Sequence, residues 1–397
     1  MKVNPSLVSL VLIGGLGIAS AQDTVDASNY PGLFGPAGSS VAVPPPLVGS
    51  GGSVSDDLGT YWTARSDGSL GIALITGTGA ETLLTGSALQ FNISSDPDTL
   101  LGALGTGLSL NLGWSATATF NKQGSVLTLK PNSTYRLAFD VNSGSGLLNS
   151  VLGVNRQFTV SLLDANSQPV GSVSNGTVVN LLGLQLLTTG TPGTGRAVMD
   201  FKTGATVPSG AAKLKFDGSA LLPAKLTGIG TTFANISNLS IAYVSPYTLF
   251  LENKGVTNPA QQDPNADPDG DGRTNLGEFA FDTNPATGDG SNQHFTIGDP
   301  DGGGSETSAG ILTFPVRDGA DFNPNGGPQL ANVDGIHYQV EGSYNLVNWT
   351  PAVEEVTPNS SFTSNLPQLQ AGWSYRSFRV AGQTSNTPKA FLRVRYY

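Results

Sequence analysis

The segment "TYRLAFDV" sets Tyr135, Leu137, Phe139 and Val141 on one side of an extended chain and Arg136, Ala138 and Asp140 on the other. Alternation of period two marks a strand with one buried face. "QFTVSLLD" repeats it with Phe158, Val160 and Leu162, and in "FLRVRYY" Leu392, Val394 and Tyr396 alternate with arginines. Comparable runs occur at 69–77, 88–94, 108–120, 195–204, 211–218 and 235–244, and again at 310–316, 337–349 and 375–382. Gly, Asn, Asp and Ser separate them, as turns require. Short strands at this spacing predict an all-β chain built from sandwiches. Two stretches break the pattern. "PYTLFLENKG" (246–255) predicts a short helix, with Pro246 in its first turn and Gly255 just past its end. "TNLGEFAFDTNP" (274–285) allows a helix of about two turns, ended by Asn284-Pro285.

The chain has 397 residues, too many for one ordinary core. It has no cysteine, which excludes disulfides and thiolate chemistry. A net charge of −10 with no run of Lys or Arg excludes nucleic acid as a partner. At the N-terminus, Lys2, the apolar stretch Leu7 to Ile18 and Ala19-Ser20-Ala21 have the order of a signal peptide. Residues 1–21 are therefore expected to be removed, leaving a secreted or cell-surface chain that starts at Gln22. No later apolar run approaches membrane-spanning length, so no span is expected in the mature chain. A Gly/Pro/Ser-rich leader is expected at 22–55, a first β domain at 56–245, a helix plus acidic linker at 246–292, and a second β domain at 293–397.

The strongest chemical signal is "DPDGDGRTNLGE" (267–278), four carboxylates within twelve residues of a chain in which 12% are charged. Like charges at this density repel unless a cation sits among them. Asp267, Asp269 and Asp271 fall at positions 1, 3 and 5 of a twelve-residue calcium loop, and Gly272 falls at the sharp turn at position 6. Arg273 would lend its carbonyl at position 7, Asn275 stands at position 9, and Glu278 at position 12 can bind through both oxygens. Ligand number and flexibility favour Ca²⁺ over magnesium. Asp263 and Asp282 are candidates for outer ligands. Pro264 and Pro268 forbid a helix running into the loop, so this is not a sensor of the paired-helix kind.

Three resemblances add to this reading. "LKPNSTYRLAFDVNSGSG", "FTVSLLD" and the closing "FANISNLSIAY" resemble the galactose-binding-like jelly roll of carbohydrate-binding modules. That implies an N-terminal jelly-roll sandwich and an extracellular glycan as partner. The acidic loop is similar to thrombospondin type 3 and dockerin-like motifs, which implies a structural calcium site in an extracellular protein. "YQVEGSYNLVNW" resembles a recurrent run in the C-terminal β domain that follows such loops in exported bacterial proteins, implying a small second β-sandwich. Tyr61, Trp62 and Trp114 are the aromatic candidates for stacking on a sugar, with core packing as the competing role.

These readings lead to one expectation, a secreted, calcium-binding, non-enzymatic protein that binds a surface component or glycan, with calcium stiffening the joint between two β domains. The alternatives are an extracellular polysaccharide hydrolase or lyase, and a purely structural matrix protein. Asn-x-Ser/Thr triplets and two isolated histidines nominate no chemistry.

Overall fold

The computed structural model describes residues 30–43, 52–68, 78–95, 111–121, 129–142, 156–163, 172–175, 194–205, 213–223, 231–300, 308–323, 326–383 and 389–397. The expected signal peptide and the strand expected at 69–77 lie outside the described residues. The fold is all-β, and the chain divides into a first unit ending at Val244 and a second beginning at Ser245.

The first unit holds β1 (Ser40–Val43), β2 (Ser53–Leu58), β3 (Trp62–Asp67), β4 (Thr78–Leu84), β5 (Leu89–Ser95) and β6 (Asn111–Phe120). It continues with β7 (Thr134–Asn142), β8 (Arg156–Leu163), β9 (Ser172–Asn175), β10 (Thr194–Lys202), β11 (Lys213–Pro223) and β12 (Thr231–Val244). One sheet runs β1-β4-β5-β12-β7-β10-β9 and the other β2-β3-β6-β11-β8, all pairings antiparallel. From β5 to β8, and again from β10 to β12, each strand crosses to the opposite sheet, which is the jelly-roll path expected from the sequence. The predicted alternation holds on β7, where Tyr135, Leu137, Phe139 and Val141 all point into the core. They meet Trp62, Phe120, Leu214 and Phe216 from the facing sheet.

Two features of this unit depart from expectation. The leader at 22–55 is not simply an extended tether, because β1 pairs with β4 and β2 with β3, and Leu33 and Phe34 are buried. Its Gly and Pro residues shape turns that carry a few apolar side chains back onto the sandwich. Trp62 is 0% exposed, packed against Phe34, Phe120 and Phe216, and its indole N–H donates to Leu33 O at 2.7 Å. It therefore presents no face to a sugar.

The second unit starts with α1 (Pro246–Asn253), a single 3₁₀ turn at Pro259–Gln261 and α2 (Asn275–Phe281). Then come β13 (His294–Gly298), β14 (Ala309–Arg317), β15 (Gln329–Val333), β16 (Ile336–Ser343), β17 (Val353–Val356), the one-turn α3 (Ser360–Thr363), β18 (Trp373–Val380) and β19 (Phe391–Tyr396). Sheets of order β13-β14-β18-β17 and β15-β16-β19 enclose a core that includes Phe314, Val316, Tyr338, Val340 and Phe378.

Both helices belong to that core. Phe250 and Leu251 of α1 and Phe279, Ala280 and Phe281 of α2 are part of the same buried cluster. The segment 246–292, expected to link two domains, is thus built into the second one. The reason lies in its apolar residues: a helix carrying Phe, Ala and Phe in sequence cannot leave them in solvent, and they pack with Phe314, Tyr338 and Phe378 of the small sandwich.

Trp62→Ala should destabilise the first unit by roughly 3–5 kcal/mol, the usual range for emptying a large aromatic site. Denaturant unfolding followed by circular dichroism measures this, and a change under about 1 kcal/mol would mean the site collapses or is not packed as described.

Candidate metal centre

α1 ends as its sequence predicts, with Ser245 Oγ accepting from Thr248 N–H at 3.0 Å and Gly255 at φ +94° beyond the last turn. The chain then passes the 3₁₀ turn and a bend at 264–265 before entering the acidic loop. No helix leads directly into the loop, as Pro264 and Pro268 require.

The first half of the loop is a chain of carboxylate-to-amide turns. Asp267 accepts Gly270 N–H and Gly272 N–H, both at 2.9 Å. Asp269 Oδ1 accepts Asp271 N–H at 3.1 Å, and Asp271 Oδ1 accepts Arg273 N–H at 2.9 Å. Gly270 and Gly272 stand at φ +76° and +91°, a region that side-chain-bearing residues avoid. In Asp269 and Asp271 only one oxygen is taken by the backbone, so the second is directed elsewhere.

α2 supplies the far wall. Thr274 caps it by accepting Gly277 N–H at 3.3 Å, and Asp282, left-handed at φ 51°, ends it. Trp373 Nε1–H donates to Phe279 O at 2.9 Å and Tyr338 O–H to Ala280 O at 2.8 Å, so sandwich side chains satisfy backbone carbonyls of the helix. Gly277 sits against Tyr396, and a Cβ there would overlap the phenol. With the helix fixed on that side, Glu278 points into the acidic loop, 0% exposed, and neither of its oxygens has a hydrogen-bond partner.

Two groups of carboxylates result. Asp267, Asp269 and Asp271 each place an oxygen within 4.8 Å of the others, and so do Asp271, Glu278 and Asp289. Calcium–oxygen bonds of about 2.3–2.6 Å allow two ligands of one ion to lie up to about 5 Å apart, so both groups have ligand spacing. Electrostatics follow from burial. Burial first, then the charges of Asp269 and Asp271, push the Glu278 carboxyl up to about 8. Burial also raises Asp269, whereas the Gly272 N–H first and then the Gly270 N–H help hold Asp267 below the ordinary carboxylate value. An orphaned buried carboxylate facing others fits a hard cation with oxygen ligands.

The residues nominated from sequence fare unevenly. Asp267, Asp269, Asp271 and Glu278 are brought together. Arg273 turns its guanidinium to Asp271 Oδ2 at 2.9 Å, to Asp289 Oδ1 at 3.3 Å and to the carbonyls of Asp289 and Gly290. Asn275 Nδ2 donates to Gln261 O at 2.7 Å and Asp263 O at 2.9 Å, tying the start of α2 to the segment before the loop, while its Oδ1 is buried without a hydrogen-bond partner. Asp263 and Asp282 lie outside both carboxylate groups. Asp263 Oδ1 accepts Asn265 N–H, and Asp282 Oδ2 accepts Gln370 N–H at 2.7 Å. Asp289 went unnoticed because it lies eleven residues beyond Glu278, in "ATGDGSN", with no spacing rule to single it out.

Of the aromatic candidates, Trp62 is buried, and Tyr61 packs edge-on to Tyr30 at 5.4 Å with its hydroxyl donating to Pro31 O at 3.3 Å. Trp114 lies on β6 opposite Ala220, and its side chain is outside the described residues. No helix among the described residues is long and apolar enough to cross a membrane.

The sequence matches no family model, and no curated protein matches it. Among solved structures, a cyclase from Fischerella sp. TAU is similar over 51% of this chain and 96% of its own, at 13% identity and a TM-score of 0.21. A Stig cyclase from the same organism is similar over 51% of this chain and 97% of its own, at 13% identity and a TM-score of 0.19. Likenesses this slight carry no argument about fold or activity.

In chelator, the wild-type second unit should lose stability as pH rises. Glu278 holds its proton more tightly folded than unfolded, so the stabilisation is complete below about pH 4.5 and gone above about pH 8. Glu278→Gln removes the buried charge and should flatten that dependence while raising the melting temperature at pH 8. Differential scanning calorimetry from pH 5 to pH 9 tests this, and a wild type that gains stability across the range would refute it.

Proposed function

We propose that the protein is an exported, non-enzymatic β protein whose second unit takes up calcium as a structural cofactor. The observation that carries this is Glu278, fully buried, unpartnered at both oxygens and facing further carboxylates. Burying an isolated carboxylate costs several kcal/mol, and a dication among these groups removes that cost. Asp267, Asp269, Asp271 and Glu278 would hold the ion, and the ion would supply charge neutralisation and crosslinking only.

The place of the loop changes what calcium does in this reading. It fixes α2 in the core of the second unit, where the sequence had pointed to stiffening between domains. An affinity of about 10⁻⁴ to 10⁻³ M suits such a site in an extracellular module. The first unit's task is attachment to a cell-surface component, and the burial of Trp62 weighs against stacking on a glycan. Export rests on Lys2, the apolar stretch and Ala19-Ser20-Ala21.

Calorimetric titration of the full chain with calcium should show binding, and calcium at a hundredfold excess over Kd should stabilise the second unit by about 2.7 kcal/mol. Asp269→Ala combined with Asp271→Ala should abolish both effects. Absence of binding in the wild type, or its persistence in the double variant, would overturn the proposal. Mass spectrometry of protein recovered from the culture medium should find Gln22 at the N-terminus, and an intact Met1 would refute export by cleavage.

A further inference from the structure

The twelve-residue loop does not contain every carboxylate at the centre. Asp289 comes from the turn after α2, yet it shares with Asp271 and Glu278 the oxygen spacing of a common ion. Glu278 is the decisive member, since its buried and unpartnered oxygens are aimed at this group. Resting on the calcium reading above, we infer that Asp289 is a ligand of the site and that the ion clamps the turn at 284–290 onto the loop.

The turn is already shaped for this. Asp289 Oδ2 accepts Asn284 N–H at 3.0 Å, which closes the turn on itself and fixes the carboxylate's direction. Arg273 bridges the two walls, holding Asp271 on one side and Asp289 with the Gly290 carbonyl on the other. Asn292 continues the attachment by donating to Phe281 O and Asp282 O at the end of α2. Asp271 thus lies between two carboxylate sets, one from the loop and one from α2 and the turn. A cation joining Asp271, Glu278 and Asp289 ties three chain segments together where Arg273 alone ties two.

The competing explanation is that Asp289 serves only as the ion-pair partner of Arg273. Two single variants of the full chain separate them. Calcium titration of Asp289→Asn should show affinity weakened at least about tenfold, the lower range for loss of a group supporting a metal. Arg273→Gln should weaken it much less, because it removes a cation and leaves the ligands. Hydrogen exchange of residues 284–290 should slow when calcium is added to the wild type and stay unchanged in Asp289→Asn.

Equal affinity in Asp289→Asn, an equal loss in Arg273→Gln, or a wild-type turn whose exchange ignores calcium would each overturn the inference. Should Asp289→Asn fail to fold, the exchange response of the wild type decides alone. A wild type that binds no calcium would instead remove the underlying reading, so the two failures are distinguishable.

Discussion

The second unit depends on what becomes of one carboxylate. α2 is seven residues long and six of them are buried, Glu278 among them. Its neighbours Phe279 and Phe281 each gain roughly 1.5–3 kcal/mol by entering the core. An ionised Glu278 without a partner costs several kcal/mol, enough to cancel most of what the two phenylalanines contribute. The helix can keep its place in two ways, with a proton on Glu278 or with a cation beside it. The first is effective only at lower pH, given a carboxyl pushed up to about 8. Above that range the packing of α2 and the occupation of the site become one equilibrium.

The surrounding carboxylates are arranged to leave that equilibrium open. Asp267 spends both oxygens on the amides of Gly270 and Gly272, so the turn forms whether or not an ion is present. Asp269 spends one, and its other oxygen is buried without a partner, like those of Glu278. The loop is therefore held by its own amides while carboxylate oxygens remain uncommitted, as the proposed ion would need. A loop that satisfied every oxygen internally would be stable and inert. One that satisfied none would have to order its backbone at the moment of binding, at about 1–2 kcal/mol per residue.

Much of this was legible in the sequence, and the failures have physical causes. Period-two alternation located β7, β8 and β19 because each packs one face on a core, a face that is only half-buried in β19. Pro246 and Gly255 located α1 because helix ends have specific backbone needs. That Asp267, Asp269 and Asp271 would cluster, with Glu278 beside Asp271, was readable because their spacing on one loop brings the carboxylates close. Asp289 was not readable, since a residue brought in by a separate turn obeys no spacing. Asn275 has a second role that spacing did not reveal, since its Nδ2 donates to two backbone carbonyls ahead of the loop, a contact that only the folded path creates. Composition misled at both flanks. Gly, Pro and Asp made 22–55 and 246–292 look like tethers, while Leu33 and Phe34 in one and Phe250, Phe279 and Phe281 in the other bind each segment into a core.

A chain without cysteine has few ways to fasten a small sandwich whose core must include two short helices. A disulfide would restrict the unfolded chain permanently, by an amount set by the loop it closes. An ion between the loop and α2 acts differently, because its stabilisation scales with the logarithm of free ion over Kd. Under the calcium reading proposed above, a millimolar-range Kd would make the fastening strong where the ion is abundant and nearly absent where it is scarce. Because Glu278 shares a buried helix with Phe279 and Phe281, an ion held there, as proposed, would act on the core and not on an exposed joint.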